Sequence, residues 1–371
     1  MSGRQKSILI QSAVLLILLL LAAMAIYNAS INLTRLNLSF GFNFLWYRSG
    51  FPMGESWVIA TAQDSNAWLT FSSMINTIVM SIYSIFFATL LGAILAFLSY
   101  YPNALLRSSA FVYIEIFRNI PLVIQMLFWL NVYYRTMPKF RESWVFYGIY
   151  LNRRGIFLPH YPWYDAFGWL LMVIFIGTLV VLWARQRYAL SKNLIWSVGI
   201  WLGLVLVYSV LFESLIWPKF NKFRITQAFQ IWPEFIGVSL GLILYTSAYI
   251  AESIRGCIQS VSKGQYEAAR SFGMSEGYIY RKIILPQAMP AIMPQLNSQY
   301  LNVIKNTSLG VAVGYPEIFS IFAGTILNQT GSAIEIILLV MIFYLCIATL
   351  MSVVFQRINK QYEIWMGVIQ K

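Results

Sequence analysis

Long apolar runs alternate with short polar segments along most of the chain. Several runs exceed the roughly 18 residues at which an apolar stretch can cross a lipid bilayer. They predict about eight membrane-spanning helices, at Ile8–Tyr27, Ala67–Leu98, Arg107–Tyr134, Ala166–Trp183, Leu194–Trp217, Pro233–Ile254, Ala288–Val313 and Glu335–Phe355. The runs are continuous and do not alternate residue by residue, so the pattern indicates an all-α transmembrane bundle and not a β-barrel.

These runs divide the chain into four parts. Residues 1–66 hold the first helix, interpreted as a retained anchor because it is longer than a signal-peptide core, and an external loop. Residues 67–134 hold core spans, and residues 135–232 an external loop followed by an inserted helical hairpin. The last part, 233–371, holds further core spans and a cytoplasmic loop at 261–287. The loop at 135–165 is rich in aromatic residues and arginine, and we expect it to be ordered.

Composition and charge agree with a membrane protein. Hydrophobic residues make up 59% of the chain and charged residues 11%, against about 25% charged residues in soluble domains. The net charge of +13 comes from Lys and Arg in loops beside the spans, which indicates topology and lipid contact and not nucleic-acid binding. More of these residues fall in the loops assigned to the cytoplasm, which places both termini there.

The sequence holds few residues suited to catalysis or metal binding. His160 is the single histidine, and Cys257 and Cys346 are far from it and from each other, so neither a metal site nor a disulfide framework is expected. The chain contains no GxxxxGK[ST] phosphate-binding loop and no nucleophile–base pair. We therefore expect no cofactor and no ATP hydrolysis by this chain, and a membrane enzyme finds no support.

The loop at 261–287 is polar, although it lies between apolar runs. Ser262 or Gly264 suits a helix start, and Gly273 suits a helix end. Ser275 is a good N-cap for a second helix, and Pro286 is expected to end or bend that helix. One apolar stripe is predicted on it, at Ile279, Ile283 and Ile284, and one shared face on the first helix, at Tyr266, Ala269 and Arg270. The two short helices are either a docking element or an interfacial hairpin that only stabilises the bundle.

Seven positions of this loop resemble the EAA loop of ATP-binding-cassette (ABC) importer permeases. They are Glu267, Ala268, Ala269, Gly273, Ile283, Leu285 and Pro286. The resemblance implies that the loop is a coupling helix that docks in a groove of a cytoplasmic ATPase and passes its closure to the spans. Glu267 would then meet a basic or polar groove edge, Ala268 and Ala269 would permit close approach, and Gly273 would allow the bend.

Other segments resemble the polar amino-acid branch of these permeases. They read MINTIVMSI, YIEIFRNIPLVIQMLFW, YIAESIRGCIQSVSKGQYEAA and YLNVIKNTSLGVAVGYPEI. The insertion resembles that of the longer members, the general and the neutral or acidic amino-acid permeases. The resemblance implies a type I ABC-importer permease fold in a bacterial inner membrane. It also implies a second permease subunit, cytoplasmic ATPase subunits, an external solute-binding protein and an amino-acid substrate, with no cofactor.

Four ionisable residues within the spans form two acid–base motifs. Glu115 and Arg118, and likewise Glu252 and Arg255, are three residues apart on one helix. Each pair is expected to neutralise itself, either as a structural ion pair that locks a helix end or as an inner gate. A stand-alone ion-coupled transporter is the alternative function, with these acids as a relay, but it does not explain the loop at 261–287.

A polar run deep in the seventh predicted span suggests a substrate path. Its residues are Lys305, Asn306, Thr307 and Ser308, and such a run is unlikely to face lipid. An ammonium and hydroxyls suit an amino-acid carboxylate. The alternative for Lys305 is a pairing with Glu317 or a backbone carbonyl. Gly310 and Gly314 follow, where we expect the helix to break.

Three further polar residues are assigned to the same path. Tyr245 and Tyr249 are one helical turn apart, and interhelical hydrogen bonding is their alternative role. Gln125 lies at mid-depth of the third predicted span and is expected to face protein or a cavity. Pro121 is expected to kink that span.

Overall fold

The computed structural model describes residues 3–35, 41–159, 216–221 and 223–365. The predicted helices Ala166–Trp183 and Leu194–Trp217, apart from the last two residues of the second, lie outside these ranges, as does His160. Within them the helices are α1 (Gly3–Arg35), α2 (Asn66–Leu98), α3 (Ala104–Asn119), α4 (Leu122–Thr136), α5 (Pro233–Gln259), α6 (Lys263–Ser271), α7 (Glu276–Ile279), α8 (Leu285–Asn306), α9 (Leu327–Thr330) and α10 (Ala333–Trp365).

Three of the described helices, α2, α5 and α10, are long and apolar enough to cross a membrane. They confirm three of the predicted spans. A fourth crossing is made by α3 and α4 if the two count as one broken span. The predicted first span lies within α1.

The helix α5 is the centre of the bundle and packs against α2 and α4. Glycines allow the close approach: a Cβ at Gly92 would lie 2.7 Å from Ile250 Cγ2, and one at Gly241 would lie 2.7 Å from Met126 Cγ. Gly237, four residues before Gly241, meets Leu130 in the same way. Small residues at this spacing bring helix backbones together in membranes. The tight packing fixes α2 and α4 relative to α5.

The predicted span Arg107–Tyr134 is not one continuous helix. It consists of α3 and α4, which meet at 106°. Ile120 (ψ 128°) and Pro121 (ψ 133°) between them are extended, because a proline disfavours helical geometry in the residue before it. The kink expected at Pro121 is therefore confirmed, but it is a right-angled break.

Pro286 was expected to end or bend its helix, and the structure excludes the end. Leu285 is helical (φ −60°, ψ −44°), and a π-helical turn at Tyr280–Ile284 joins α7 to α8 without a break. The wider π turn lies where the proline ring would crowd the carbonyl one turn before it. The predicted span Ala288–Val313 is helical only to Asn306 and continues as a 3₁₀ turn, Thr307–Val313, to Gly314 at φ +83°. The break expected at Gly314 is confirmed, and Gly310 lies within the 3₁₀ turn.

Residues 137–159 of the predicted external segment are ordered, as expected for that segment. It forms a small antiparallel sheet that the all-α prediction missed. Its strands are β1 (Trp144–Phe146), β2 (Ile149–Asn152) and β3 (Gly155–Leu158), joined by β6 (Phe229–Ile231) from beyond the insertion, in the order β1-β2-β3-β6. A two-stranded ribbon, β4 (Lys219–Phe220) with β5 (Ile225–Thr226), completes the described part. The sheet returns the chain to the start of α5.

Candidate functional site

The cytoplasmic-loop module, residues 261–287, contains the two predicted helices, α6 and α7. The first ends in a Schellman motif, in which the Gly273 N–H donates to Arg270 O (2.9 Å) and the Met274 N–H to Ala269 O (3.4 Å). Gly273 has φ +73°, the left-handed conformation that glycine adopts without strain. Ser262 and Ser275 occupy the N-cap positions as predicted, but neither side chain caps its helix.

The module has an apolar core of its own. Ala269, Ile279 and Ile284 are 4%, 0% and 5% exposed, and Ile283 and Tyr266 pack against them. This confirms the predicted stripe and the shared face of Tyr266 and Ala269, whereas Arg270, predicted on the same face, is exposed. The burial corrects the role expected for Ala269, because a side chain inside the module is not available to a partner.

The outer face of the module is formed by other positions of the motif. Glu267 and Ala268 are exposed, as are Arg270 and Leu285, and Pro286 is half-buried. The Tyr266 hydroxyl donates to both Glu276 carboxylate oxygens, at 2.7 and 2.8 Å, and so joins α6 to α7. The motif therefore separates into residues that build the module and residues that it presents.

The predicted acid–base motifs form one network across two helices. Glu252 and Arg255 on α5 pair as predicted, with Arg255 Nε 3.0 Å from Glu252 Oε2. Glu115 and Arg118 make no ion pair with each other, contrary to the prediction. Instead Arg118 Nη1 lies 3.7 Å from Glu252 Oε2, and the Asn119 side chain donates to the exposed Glu115 (3.3 Å). Two guanidinium groups therefore share Glu252, and the Arg118 contact joins α3 to α5.

Aromatic residues surround this network. Arg118 lies over the Tyr249 ring (5.4 Å) and Arg255 over the Phe111 ring (5.6 Å), within the range of cation–π attraction. The Tyr245 hydroxyl donates to that of Tyr249 and the Tyr249 hydroxyl to Arg118 O, each at 3.3 Å. The structure thus attaches Tyr245 and Tyr249 to the ion pairs through Arg118.

Gln125 stabilises the break between α3 and α4. Its side chain is buried, as expected, and its Nε2 donates to Phe117 O and Ile120 O, both at 2.9 Å. These carbonyls lie at the end of α3, where the last carbonyl groups of a helix have no backbone N–H partner within the helix. Gln125 Oε1 is buried without a hydrogen-bond partner in the described part of the chain. The amide nitrogen is therefore committed to the backbone, and only the oxygen is available for another contact.

The four residues of the predicted polar run differ from one another in burial. Lys305 is exposed, and Asn306 and Ser308 are half-buried. Thr307 is fully buried, and its hydroxyl donates to Ile304 O (2.7 Å), so it does not line a path. The Ser308 hydroxyl donates to Lys305 O (2.7 Å).

The alternative pairing of Lys305 with Glu317 is wrong. Glu317 is fully buried and accepts from the Phe319 N–H (2.9 Å), the Ser320 N–H (2.6 Å) and the Tyr344 hydroxyl (3.0 Å). It caps the helical turn that follows it. Its position near a glycine-rich break had given no sign of this structural role.

A half-buried carboxyl pair lies at the end of α5 opposite the module, and the sequence did not predict it. Glu55, from the loop before α2, lies next to Glu234 in the first turn of α5. The Tyr134 hydroxyl donates to Glu234 Oε1 (2.5 Å). Burial, followed by the hydrogen bond to and the charge of Glu234, raises the pKa of Glu55 to about 10. Two adjacent carboxyl groups cannot both ionise cheaply, so Glu55 keeps its proton.

The geometry so far defines a helical membrane bundle with a separate two-helix module at 261–287 and an ion-pair network at one end of its central helix. Residues 88–363 match the family of the binding-protein-dependent transport system inner membrane component. The chain belongs to this family. It is a multi-pass inner-membrane permease subunit of an ABC transporter complex, in which the ATPase is a separate chain.

Curated relatives cover most of the chain. It is 34% identical to the general L-amino acid transport system permease protein AapQ of Rhizobium johnstonii, over 96% of this chain and 92% of the relative. It is 36% identical to the putative amino-acid ABC transporter permease protein YhdX of Escherichia coli, over 91% and 89%. The glutamate/glutamine/aspartate/asparagine transport system permease protein BztB of Rhodobacter capsulatus is 32% identical over 97% and 94%. The chain is an amino-acid ABC transporter permease by family, and the ion-coupled alternative receives no support.

Proposed function

We propose that this chain, with a second homologous permease, forms the membrane pathway of an importer for neutral and acidic amino acids. A pair of cytoplasmic ATPase subunits drives the importer, and an external solute-binding protein delivers the substrate. Both termini lie in the cytoplasm. The observation that carries the proposal is the module at 261–287. Its own core and Schellman motif hold Glu267 and Ala268 on an exposed face.

The division of roles within the module follows from burial. Glu267, Ala268 and the exposed Leu285 face the ATPase, whereas Ala269, Ile283 and Gly273 keep the module in shape. Pro286 lies where the module continues into α8. Closure of the ATPases on nucleotide then moves the module as one body, since its two helices share a core.

The ion-pair network is the proposed inner gate. Glu252 holds Arg255 on its own helix and Arg118 on another, so that separation of α3 from α5 breaks the Arg118 ion pair and leaves the Arg255 ion pair intact. A partly exposed ion pair is a weak contact, worth about 1 kcal/mol or less, which suits a contact that must open in each cycle. Glu115 lies outside the pair but adds negative charge on α3.

The substrate path is proposed along the groups that remain available. These are Lys305, Asn306 and Ser308 after α8, Gln125 through Oε1, and the tyrosines Tyr245 and Tyr249 beside Arg118. An exposed ammonium suits the α-carboxylate that all amino acids carry. The names of the relatives, which include general, acidic and amide amino acids, support this substrate class.

The test is to purify the chain from cells that express its native neighbours and to measure which ATPase remains bound in detergent. Glu267→Lys is expected to lose the ATPase and amino-acid uptake while the chain stays folded. Glu142→Lys is the matched control, because it makes the same charge change at an exposed site of the external segment. A chain that purifies alone, and moves amino acids in vesicles without ATP, would refute the proposal.

A further inference from the structure

We infer that Tyr100 and Tyr280 are positioning residues that transmit movement of the cytoplasmic-loop module to the ion-pair network around Glu252. The inference rests on the proposed function, in which the module docks on an ATPase. Neither tyrosine belongs to the motif positions or to the ion pairs. They lie between these two sites and contact both sides.

The first link is a set of three aromatic rings. The Tyr266 ring of α6 lies 6.2 Å from the ring of Tyr280, and the Tyr280 ring lies 5.4 Å from that of Tyr100. Ring pairs at these separations attract each other and resist displacement. Tyr266 is also hydrogen-bonded to Glu276, so both helices of the module are attached to Tyr266, the first of the three rings. Tyr280 opens the π-helical turn at which the module passes into α8.

The second link is a hydrogen bond from Tyr100 to α5, the helix that carries Glu252 and Arg255. Tyr100 lies in the turn between α2 and α3, and its hydroxyl donates to Arg255 O at 3.0 Å. The Arg255 side chain holds Glu252, and Glu252 holds Arg118 of α3. Burial next to Tyr280 keeps the pKa of Tyr100 well above its ordinary value, so the hydroxyl retains the proton that it donates.

The geometry gives the two tyrosines separate tasks. Tyr280 moves with the module because it packs in the module core with Ile279. Tyr100 converts this movement into a pull on the backbone of α5 at Arg255, next to the residues that join α5 to α3. A phenylalanine at position 100 keeps the ring contact and removes the hydrogen bond, so it separates packing from transmission. Coupling between sites requires such a physical contact, and variants of that contact measure it.

The experiment uses the full complex in proteoliposomes, with ATP hydrolysis and amino-acid uptake measured on the same preparation. Tyr100→Phe is expected to assemble and to hydrolyse ATP at close to the wild-type rate. Its uptake per ATP hydrolysed should fall by about fivefold, the size expected for loss of one hydrogen bond. The control is Tyr101→Phe, the adjacent residue, whose side chain is 42% exposed and packs only on Phe97 among the ring contacts of the described residues.

Two further measurements complete the test. Tyr100→Phe combined with Glu252→Gln should lower the uptake per ATP no further than Glu252→Gln alone, since both variants act on one series of contacts. Tyr280→Leu should uncouple uptake in the same way. The inference is overturned if Tyr100→Phe leaves the ratio of uptake to hydrolysis unchanged, or if the double variant is additive. Loss of the ATPase from the wild-type chain would instead refute the proposed function.

Discussion

Replacement of Gly273 tests whether the shape of the module determines ATPase binding. At φ +73° an L-residue is strained, whereas a Cβ at this position meets nothing within 4 Å. The whole penalty of Gly273→Ala is therefore conformational, about 1–2 kcal/mol. It changes the population of the native turn by roughly 5- to 30-fold. Gly273→Asn should restore part of the loss, because asparagine tolerates this conformation better than alanine does.

The assay is the amount of ATPase that co-purifies with each variant in detergent, alongside the melting temperature of the bundle. Gly277→Ala is the matched control, since a Cβ there also meets nothing within 4 Å but the residue lies in α7. Alanine is the better helix former by about 1 kcal/mol, so this variant should bind at least as much ATPase as the wild type. Equal binding by Gly273→Ala and Gly277→Ala would refute the reasoning.

Three other predictions concern the bundle. Gly92→Ala should lower the melting temperature, because its Cβ would lie 2.7 Å from Ile250 and overpacking costs about 1–3 kcal/mol. Gly256→Ala is the control and should leave the melting temperature unchanged, because a Cβ there meets nothing within 4 Å. Equal melting temperatures of the two variants would contradict the packing of α2 on α5. Gln125→Leu removes the donor from two backbone carbonyls and should destabilise the bundle by about 1–3 kcal/mol, seen in thermal unfolding; an unchanged transition would show that other groups satisfy the break. The pKa of Glu55 is raised from 4.5 to about 10. The unfolded chain therefore loses this proton first, and stability falls as pH rises between these values, by at most about 1.4 kcal/mol per pH unit. Glu55→Gln should flatten that slope in melting curves between pH 6 and 9, and an unchanged slope would exclude Glu55 as its source.

The sequence predicted those features that depend on local spacing. The limits of α2, the start of α5, the stop at Gly273 and the apolar stripe beginning at Ile279 all follow from periodicity and turn chemistry within a few residues. The right-angled break at Pro121 was predicted only as a kink. Its angle is set by the packing of α4 on α5 and by the hydrogen bonds of a buried glutamine, which no local pattern shows.

Features that join distant segments were missed or assigned to the wrong partner. Arg118 was paired with the acid on its own helix, but the crossing of α3 and α5 brings Glu252 closer. Glu55 and Glu234 are far apart in the chain and meet only in the fold. The strands of the external segment have two to four residues each, too few for alternation to distinguish them from loop. Sequence spacing predicts which residues are neighbours on one helix or strand, but it does not predict which helices and strands pack together.

The helix that follows the module has a mechanical property that its proline spacing determines. Pro286, Pro290 and Pro294 are four residues apart, so the amide hydrogens they lack lie along one side of α8. That side has fewer hydrogen bonds to lose when the helix bends, while the opposite side keeps its full set. The helix is therefore expected to bend more easily in one direction than in the others. Any bending of α8 is therefore expected to follow one direction, from the module at one end of the helix to Lys305 at the other.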